Sequence, residues 1–190
     1  MTALHRLAAA LLVLAASALP AAAQEGIATQ DWFAVTFKDV AEDLQEATAQ
    51  GKRLAIIVEQ QGCIYCKKLH DEVLSDPEVR AFITAHFTVV QYNMFGDEEV
   101  TDLDGRIMTE REAIRRWGVA FTPTVIFLPD VADGAATVAE AAVQTMPGAF
   151  GKWTTLDMFR WVHLKGYEGD EHFQKFHARN IMRLRAEGRL

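Results

Sequence analysis

Two cysteines three positions apart follow directly after a short apolar run, and this arrangement constrains the fold more than any other feature. Residues 54–58 (Leu-Ala-Ile-Ile-Val) form a wholly apolar run, which is typical of a strand buried on both faces. Cys63 and Cys66 come next, and apolar residues at helical spacing follow them. The sequence therefore predicts a buried strand that leads into a helix, with Cys63 at the start of that helix.

This position favours thiol–disulfide chemistry at the two cysteines. Unpaired backbone N–H groups and the helix dipole stabilise a thiolate at a helix start. They lower a cysteine pKa from about 8.5 to roughly 3.5–7.5. Cys66, one turn further on, can attack a mixed disulfide formed at Cys63. A purely structural disulfide here would close only the loop 63–66 and would add little stability. We therefore predict a reactive pair of cysteines.

Metal and cofactor chemistry fits the neighbouring residues less well. A c-type haem site needs a histidine directly after the second cysteine, where this chain has Lys67. Cys63, Cys66 and His70 would supply three of the four ligands of a structural zinc site, so we predict no metal and no cofactor. His70 is expected at a surface or half-buried position, with a role as proton carrier as the alternative. Lys67 is expected to be solvated, and the alternative is that it tunes the pKa of the cysteine thiol.

The N-terminus has the pattern of a secretory signal peptide. Residues 7–19 are apolar apart from one serine, Pro20 follows, and three alanines end at Ala23. We predict a signal peptide over 1–23, cleavage after Ala23 and a mature chain of 24–190 without stable membrane insertion. The chain has 19 basic and 26 acidic residues, so it has no electrostatic reason to bind nucleic acid.

Helices and strands alternate along the mature chain. Helices are predicted over 39–50, 63–74, 77–86, 109–117, 155–165 and 171–186. Strands are predicted over 54–58, 87–92 and 124–128, with an acidic loop over 95–105 and a weak edge strand over 137–145. This order predicts an α/β domain in which a mixed sheet is covered by helices.

Two segments of the sequence resemble a known family. The cysteine segment 63–66 and the segment 117–124 (Trp-Gly-Val-Ala-Phe-Thr-Pro-Thr) resemble the thioredoxin superfamily. More narrowly, segments 59–70, 96–102 and 146–167 are similar to the periplasmic SoxW-type thioredoxins of sulfur-oxidation systems.

The resemblance implies a thioredoxin fold over 24–190, with C-terminal helices at about 155–186. It implies a periplasmic oxidoreductase that reduces protein disulfides through Cys63 and Cys66, with electrons from a membrane thiol donor. It also implies that Pro123 is cis beside the cysteines and that Thr122 presents its backbone to the substrate. Two alternatives stay open: a disulfide oxidase or isomerase of exported proteins, and a module that binds a metal or a partner.

The chain departs from ordinary thioredoxins near the cysteines. Ile57 occupies the position of the buried acid that serves proton transfer to the second cysteine. The nearest acid is Glu59, which either takes over the proton role or is an ordinary charge at a strand end. Gly62 replaces a tryptophan, and Ile64 and Tyr65 replace Gly-Pro, so the family's redox potential does not transfer to this chain.

Overall fold

A four-stranded mixed β-sheet forms the centre of the fold. The computed structural model describes residues 26–190, so the predicted signal peptide 1–23 and its cut after Ala23 lie outside the described residues. The strands are β1 Arg53–Glu59, β2 Phe87–Asn93, β3 Glu99–Thr101, β4 Ile107–Thr109, β5 Thr124–Phe127 and β6 Gln144–Pro147. The sheet has the order β2-β1-β5-β6, and β3 pairs with β4 in a separate hairpin. β2 runs parallel to β1, whereas β5 is antiparallel to both of its neighbours.

Helices cover both faces of the sheet. They are α1 Val40–Ala49, α2 Ile64–Leu69, α3 Pro77–His86, α4 Glu110–Arg116, α5 Val138–Ala141, α6 Lys152–His163 and α7 Phe173–Ala186. A π-helical stretch, His70–Leu74, continues α2. Local capping fixes several of the helix starts. The Asp39 carboxylate accepts hydrogen bonds at the start of α1, and the Asp76 carboxylate does so before α3. None of these helices is long and apolar enough to cross a membrane within residues 26–190.

Strand β1 separates two hydrophobic layers. Ala55 and Ile57 face a layer that includes buried residues of the π-helical stretch, α3 and α6. The alternate residues of β1, among them Ile56, face a second layer that includes α1 and α4. Successive side chains of a strand point to opposite faces, so Glu59 shares the face of Ile57. The sheet therefore carries the Glu59 carboxyl to the side on which the cysteine-bearing helix lies.

The C-terminal helices are part of the packed structure. The Phe159 ring of α6 packs edge-on against the rings of Phe87 and Phe127, with centroids 4.8 and 4.9 Å away. Helix α7 packs on α6 around the buried carboxylate of Asp157. Asn180 Nδ2 donates to Asp157 at 2.6 Å, and His177 Nδ1 lies 2.7 Å from the same carboxylate. The predicted helical C-terminal extension is confirmed.

Two predicted segments differ from the structure. The edge strand predicted over 137–145 is wrong, because the Thr137 hydroxyl accepts a hydrogen bond from the Glu140 N–H and starts the short helix α5. The edge strand begins only at Gln144, where β6 pairs with β5. The acidic segment predicted as a loop over 95–105 contains β3, whose partner β4 lies just beyond it.

Candidate active site

Cys63 and Cys66 lie where β1 passes into α2, and they form a disulfide in the structure. Gly62 makes the turn between strand and helix with a φ of 71°, a left-handed conformation that glycine adopts without strain. Cys63 is the residue that caps α2, and its Sγ accepts a hydrogen bond from the Cys66 N–H at 3.0 Å. An N–H group aimed at the sulfur stabilises negative charge on Cys63 once the disulfide is reduced.

The two cysteines differ in accessibility. Cys63 is half-buried and can be reached from solvent, whereas Cys66 is only 1 % exposed. A large disulfide can therefore approach Cys63, while Cys66 is restricted to reaction with a partner already attached to Cys63. The two sulfurs therefore differ in the size of the molecule that can reach them.

Pro123 lies beside the cysteines because of the strand topology. Strand β5 is antiparallel to β1, and its first residue, Thr124, pairs with Val58 near the C-terminal end of β1. The Thr122–Pro123 peptide bond is cis. Thr122 Oγ1 lies 3.5 Å from Cys63 Sγ, so the segment before the proline borders the accessible sulfur.

Exposed apolar side chains belong to the same two segments. Ile64 and Tyr65, between the cysteines, are largely exposed, and so is Phe121 on the proline loop. Large apolar side chains grouped in this way on a surface mark a contact site for another molecule. Here they belong to the two segments that contain or border the accessible sulfur of Cys63.

A buried acid–histidine pair lies on the same side of the sheet as the cysteine helix. Glu59 is 0 % exposed and His70 is 3 % exposed. His70 Nε2 lies 3.0 and 2.9 Å from the two carboxylate oxygens of Glu59. Gln91 Nε2, on β2, also donates to Glu59. The expectation of a surface or half-buried His70 is wrong, because the carboxylate at the end of β1 compensates the polarity of the ring inside the protein.

A groove of about 370 Å³ opens beside the cysteines, with both cysteines and His70 among its lining residues. The N-terminal segment 26–30 supplies part of its wall, and Gln30 Nε2 lies 3.0 Å from His70 Nδ1. Lys67 is exposed on the rim and pairs with Asp71 at 2.6 Å, in agreement with a mainly solvated role.

The structure brings most of the predicted site residues together. Thr122 borders Cys63, and Ile64 and Tyr65 lie between the two cysteines in the chain. Ile57, in the position of the family's acid, is a buried core residue. Over residues 26–190, no group of three or more His, Cys, Asp or Glu side chains could hold a metal ion.

Sequence reasoning missed the pairing of Glu59 with His70 and the contributions of Gln30 and Gln91. One signal was present in the sequence. Glu59 ends an otherwise apolar buried strand two residues after Ile57, and therefore on the same face, while His70 follows Cys66 by one helical turn. Nothing in the sequence pointed to the two glutamines.

The mixed sheet, the Cys63–Cys66 disulfide at a helix start and the adjacent cis-proline define a thioredoxin-like fold. Residues 40–144 match the family model described as a thioredoxin-like domain, and the chain belongs to this family.

Solved structures agree with this assignment. The chain is similar to a thioredoxin from Thermus thermophilus, with 28 % identity, a TM-score of 0.51, and coverage of 67 % of this chain and 86 % of that one. It shares its fold with a thioredoxin-fold protein from Helicobacter pylori, with 17 % identity, a TM-score of 0.50, and coverage of 75 % and 91 %. No curated protein matches the chain.

Proposed function

We propose that the protein is a periplasmic thiol–disulfide oxidoreductase that reduces protein disulfides through Cys63 and Cys66. The observation that carries the proposal is the difference between the two sulfurs, since Cys63 is accessible at a helix start and Cys66 is 1 % exposed behind it. This is the arrangement that an attacking thiol and a resolving thiol require.

The reaction has two exchange steps. The Cys63 thiolate attacks one sulfur of the substrate disulfide, so that a bond from Cys63 to the substrate forms and the substrate disulfide breaks, releasing one substrate thiolate. The Cys66 thiolate then attacks Cys63, forms the Cys63–Cys66 disulfide and releases the second substrate thiolate. Two electrons pass to the substrate, and a dithiol donor must return them before the next cycle.

Neighbouring residues fit supporting roles. The backbone of Thr122, directly before Pro123, would pair with a polypeptide bound across Cys63. Ile64 and Tyr65 offer apolar contact area to that polypeptide, and Lys67 adds positive charge near the sulfurs. Glu59 supports the proton transfers of Cys66, since Ile57 occupies the position of the family's buried acid.

The cellular setting rests on the sequence. A signal peptide over 1–23, cut after Ala23, would deliver the chain to the periplasm. The similarity of segments 59–70, 96–102 and 146–167 to SoxW-type thioredoxins supports a protein substrate in sulfur oxidation, with electrons from a membrane thiol donor.

The reduction potential of the cysteine pair tests the direction of electron flow. The potential is measured by alkylation trapping after equilibration in buffers of defined thiol–disulfide ratio. A value near the roughly −270 mV of thioredoxin is expected. A value near the roughly −120 mV of a strong oxidant would instead mean that the protein forms disulfides.

Single cysteine variants test the order of the two sulfurs. Cys66→Ser is expected to accumulate a mixed disulfide with a protein substrate, because nothing resolves the bond at Cys63. Cys63→Ser is the matched control, and it is expected to lose exchange activity and to trap no substrate. An active Cys63→Ser protein would refute the assignment of Cys63 as the attacking thiol.

A further inference from the structure

We propose that His70 accepts the proton of Cys66 when Cys66 resolves the mixed disulfide, and that Glu59 acts only through His70. The inference rests on the proposed function and extends it, since it names the order of the groups behind the resolving sulfur: Cys66, then His70, then Glu59. The proposed order is that of a nucleophile, its base and a third group that orients the base.

The first support is the position of each group relative to the groove. Cys66 and His70 both line the groove, whereas Glu59 is not among its lining residues and is 0 % exposed. His70 lies one helical turn after Cys66, and its backbone N–H donates to the Cys66 carbonyl. A side chain on a helix leans toward the preceding turn, which in this case contains Cys66. His70 therefore stands between the groove and the Glu59 carboxylate.

The hydrogen bonds define which ring nitrogen can take a proton. Nε2 faces both oxygens of Glu59 at 3.0 and 2.9 Å, so this nitrogen carries a hydrogen and donates to the carboxylate. Nδ1 faces the Gln30 side-chain nitrogen at 3.0 Å and accepts from it. The lone pair of Nδ1 is therefore the basic site of the ring, and it lies on the side where segment 26–30 borders the groove.

The Gln30 amide suits both protonation states of the ring. Its N–H donates to Nδ1 of the neutral imidazole, and after rotation its oxygen accepts from the N–H of the imidazolium. Gln91 supports the arrangement from β2, since its Nε2 donates to Glu59 and also to the Ala28 carbonyl, at 2.6 Å in the second case. Gln91 thereby ties the N-terminal segment to the acid.

The electrostatics favour proton transfer from Cys66 to His70. Before transfer, the buried site holds one negative charge, on Glu59. After transfer it holds the Cys66 thiolate and an imidazolium that is paired with Glu59, so the new positive charge is compensated where it forms. The Phe33 ring, which packs edge-on against His70, is uncharged. Lys67 and Asp71 on the groove rim are charged, and they pair with each other.

The proton is conserved through the step. Cys66 loses it to Nδ1 as its sulfur attacks Cys63, and the bond between Cys63 and the substrate sulfur breaks. The imidazolium then returns the proton through the groove to the departing thiolate or to solvent, and His70 is neutral again. No oxidant or reductant is needed beyond the substrate disulfide itself.

Single-turnover reaction of the reduced protein with dithiobis(nitrobenzoate) separates the two sulfurs. Attack by Cys63 releases the first coloured thiolate, and attack by Cys66 on the mixed disulfide releases the second. His70→Asn is expected to slow the second release about 10²-fold near neutral pH, the low end of general-base effects, and to leave the first within a few-fold of the unmodified protein. The rate of the second release should then keep rising with pH to about 8.5, where an unassisted cysteine ionises.

The double variant tests whether Glu59 acts through His70. Glu59→Gln alone is expected to slow the second release about tenfold, and to add less than twofold in the His70→Asn background, because groups that act as one unit are not additive. If His70→Asn does not fold, His70→Gln replaces it, because its amide can still donate to Glu59.

His177→Asn is the matched control, since His177 also contacts a buried carboxylate, that of Asp157, but lies on α7 outside the groove. It should leave both releases and their pH profiles unchanged.

Two results would overturn the relay: a His70→Asn protein whose second release keeps its rate and pH profile, or a Glu59→Gln change that slows this release further in the His70→Asn background. The second result would mean that Glu59 takes the proton directly. An unmodified protein that releases no second thiolate would instead contradict the proposed function itself.

Discussion

Asp43 is a buried carboxyl on α1, and its replacement by asparagine is expected to stabilise the protein at neutral pH. Burial raises the pKa of Asp43 from 3.8 to about 6, against the opposing effect of the Thr36 hydroxyl, which donates to the carboxyl at 3.0 Å. The nearby carboxylates of Asp39, Glu46 and Glu42 contribute a smaller part of this rise in the pKa. The ionised form is therefore disfavoured in the folded protein.

The size and sign of the effect follow from linkage. Between pH 3.8 and about 6, the folded protein keeps the Asp43 proton while the unfolded chain has lost it, so stability falls as pH rises through this window. The pKa difference of about 2 units corresponds to about 3 kcal/mol. The asparagine N–H₂ group would be buried without an assured acceptor, at a cost of about 1–2 kcal/mol. We therefore expect Asp43→Asn to raise the free energy of unfolding by about 1–2 kcal/mol above pH 6.

Urea unfolding of both proteins at about pH 8 and about pH 4 measures this effect. The advantage of Asp43→Asn should be present at about pH 8 and should be lost or reversed at about pH 4, where the folded protein keeps the Asp43 proton and only the cost of burying the amide remains. Asp170→Asn, at an exposed position outside α1, is the matched control and should change the free energy by less than about 0.5 kcal/mol. The reasoning is refuted if Asp43→Asn is no more stable than the unmodified protein at about pH 8, or if its advantage persists unchanged at about pH 4.

Two further predictions concern the substrate surface and the C-terminal helix. Phe121→Ser should raise KM for a protein disulfide several-fold and leave the rate with a small disulfide unchanged, because Phe121 is 69 % exposed and directly precedes Thr122, which borders Cys63. Val131→Ser, at a site 70 % exposed and away from the cysteines, is the control, and an equal rise in KM there would contradict a specific contact. Asp157→Ala should lower the free energy of unfolding by about 3 kcal/mol, since Asn180 and His177 lose a buried charged partner. Urea unfolding checks this, and a loss below about 0.5 kcal/mol would mean that the carboxylate does not hold α7 in place.

The sequence by itself determined the features that depend on short stretches of chain. The apolar run at 54–58 forms β1 because both faces of that strand are covered by helices. Cys63 caps α2, and Asp39 and Asp76 start their helices, because each capping contact lies within a few residues. The predicted strand over 137–145 was wrong for the same kind of reason, since a local cap at Thr137 outweighs a weak alternation.

Only the tertiary structure decided which polar groups meet behind the cysteines. Glu59, His70, Gln30 and Gln91 come from four separate segments, and their contacts join residues 11, 40 and 32 positions apart. The pairing register of β1 with β2 places Gln91 opposite Ile57, two residues before Glu59 on the same strand. Burial of His70 depends on this convergence, because a histidine stays inside a protein when its ring nitrogens find partners there. No local pattern specifies such partners, and so the sequence offered Glu59 and His70 as separate candidates but did not show that they pair or that Gln30 and Gln91 join them.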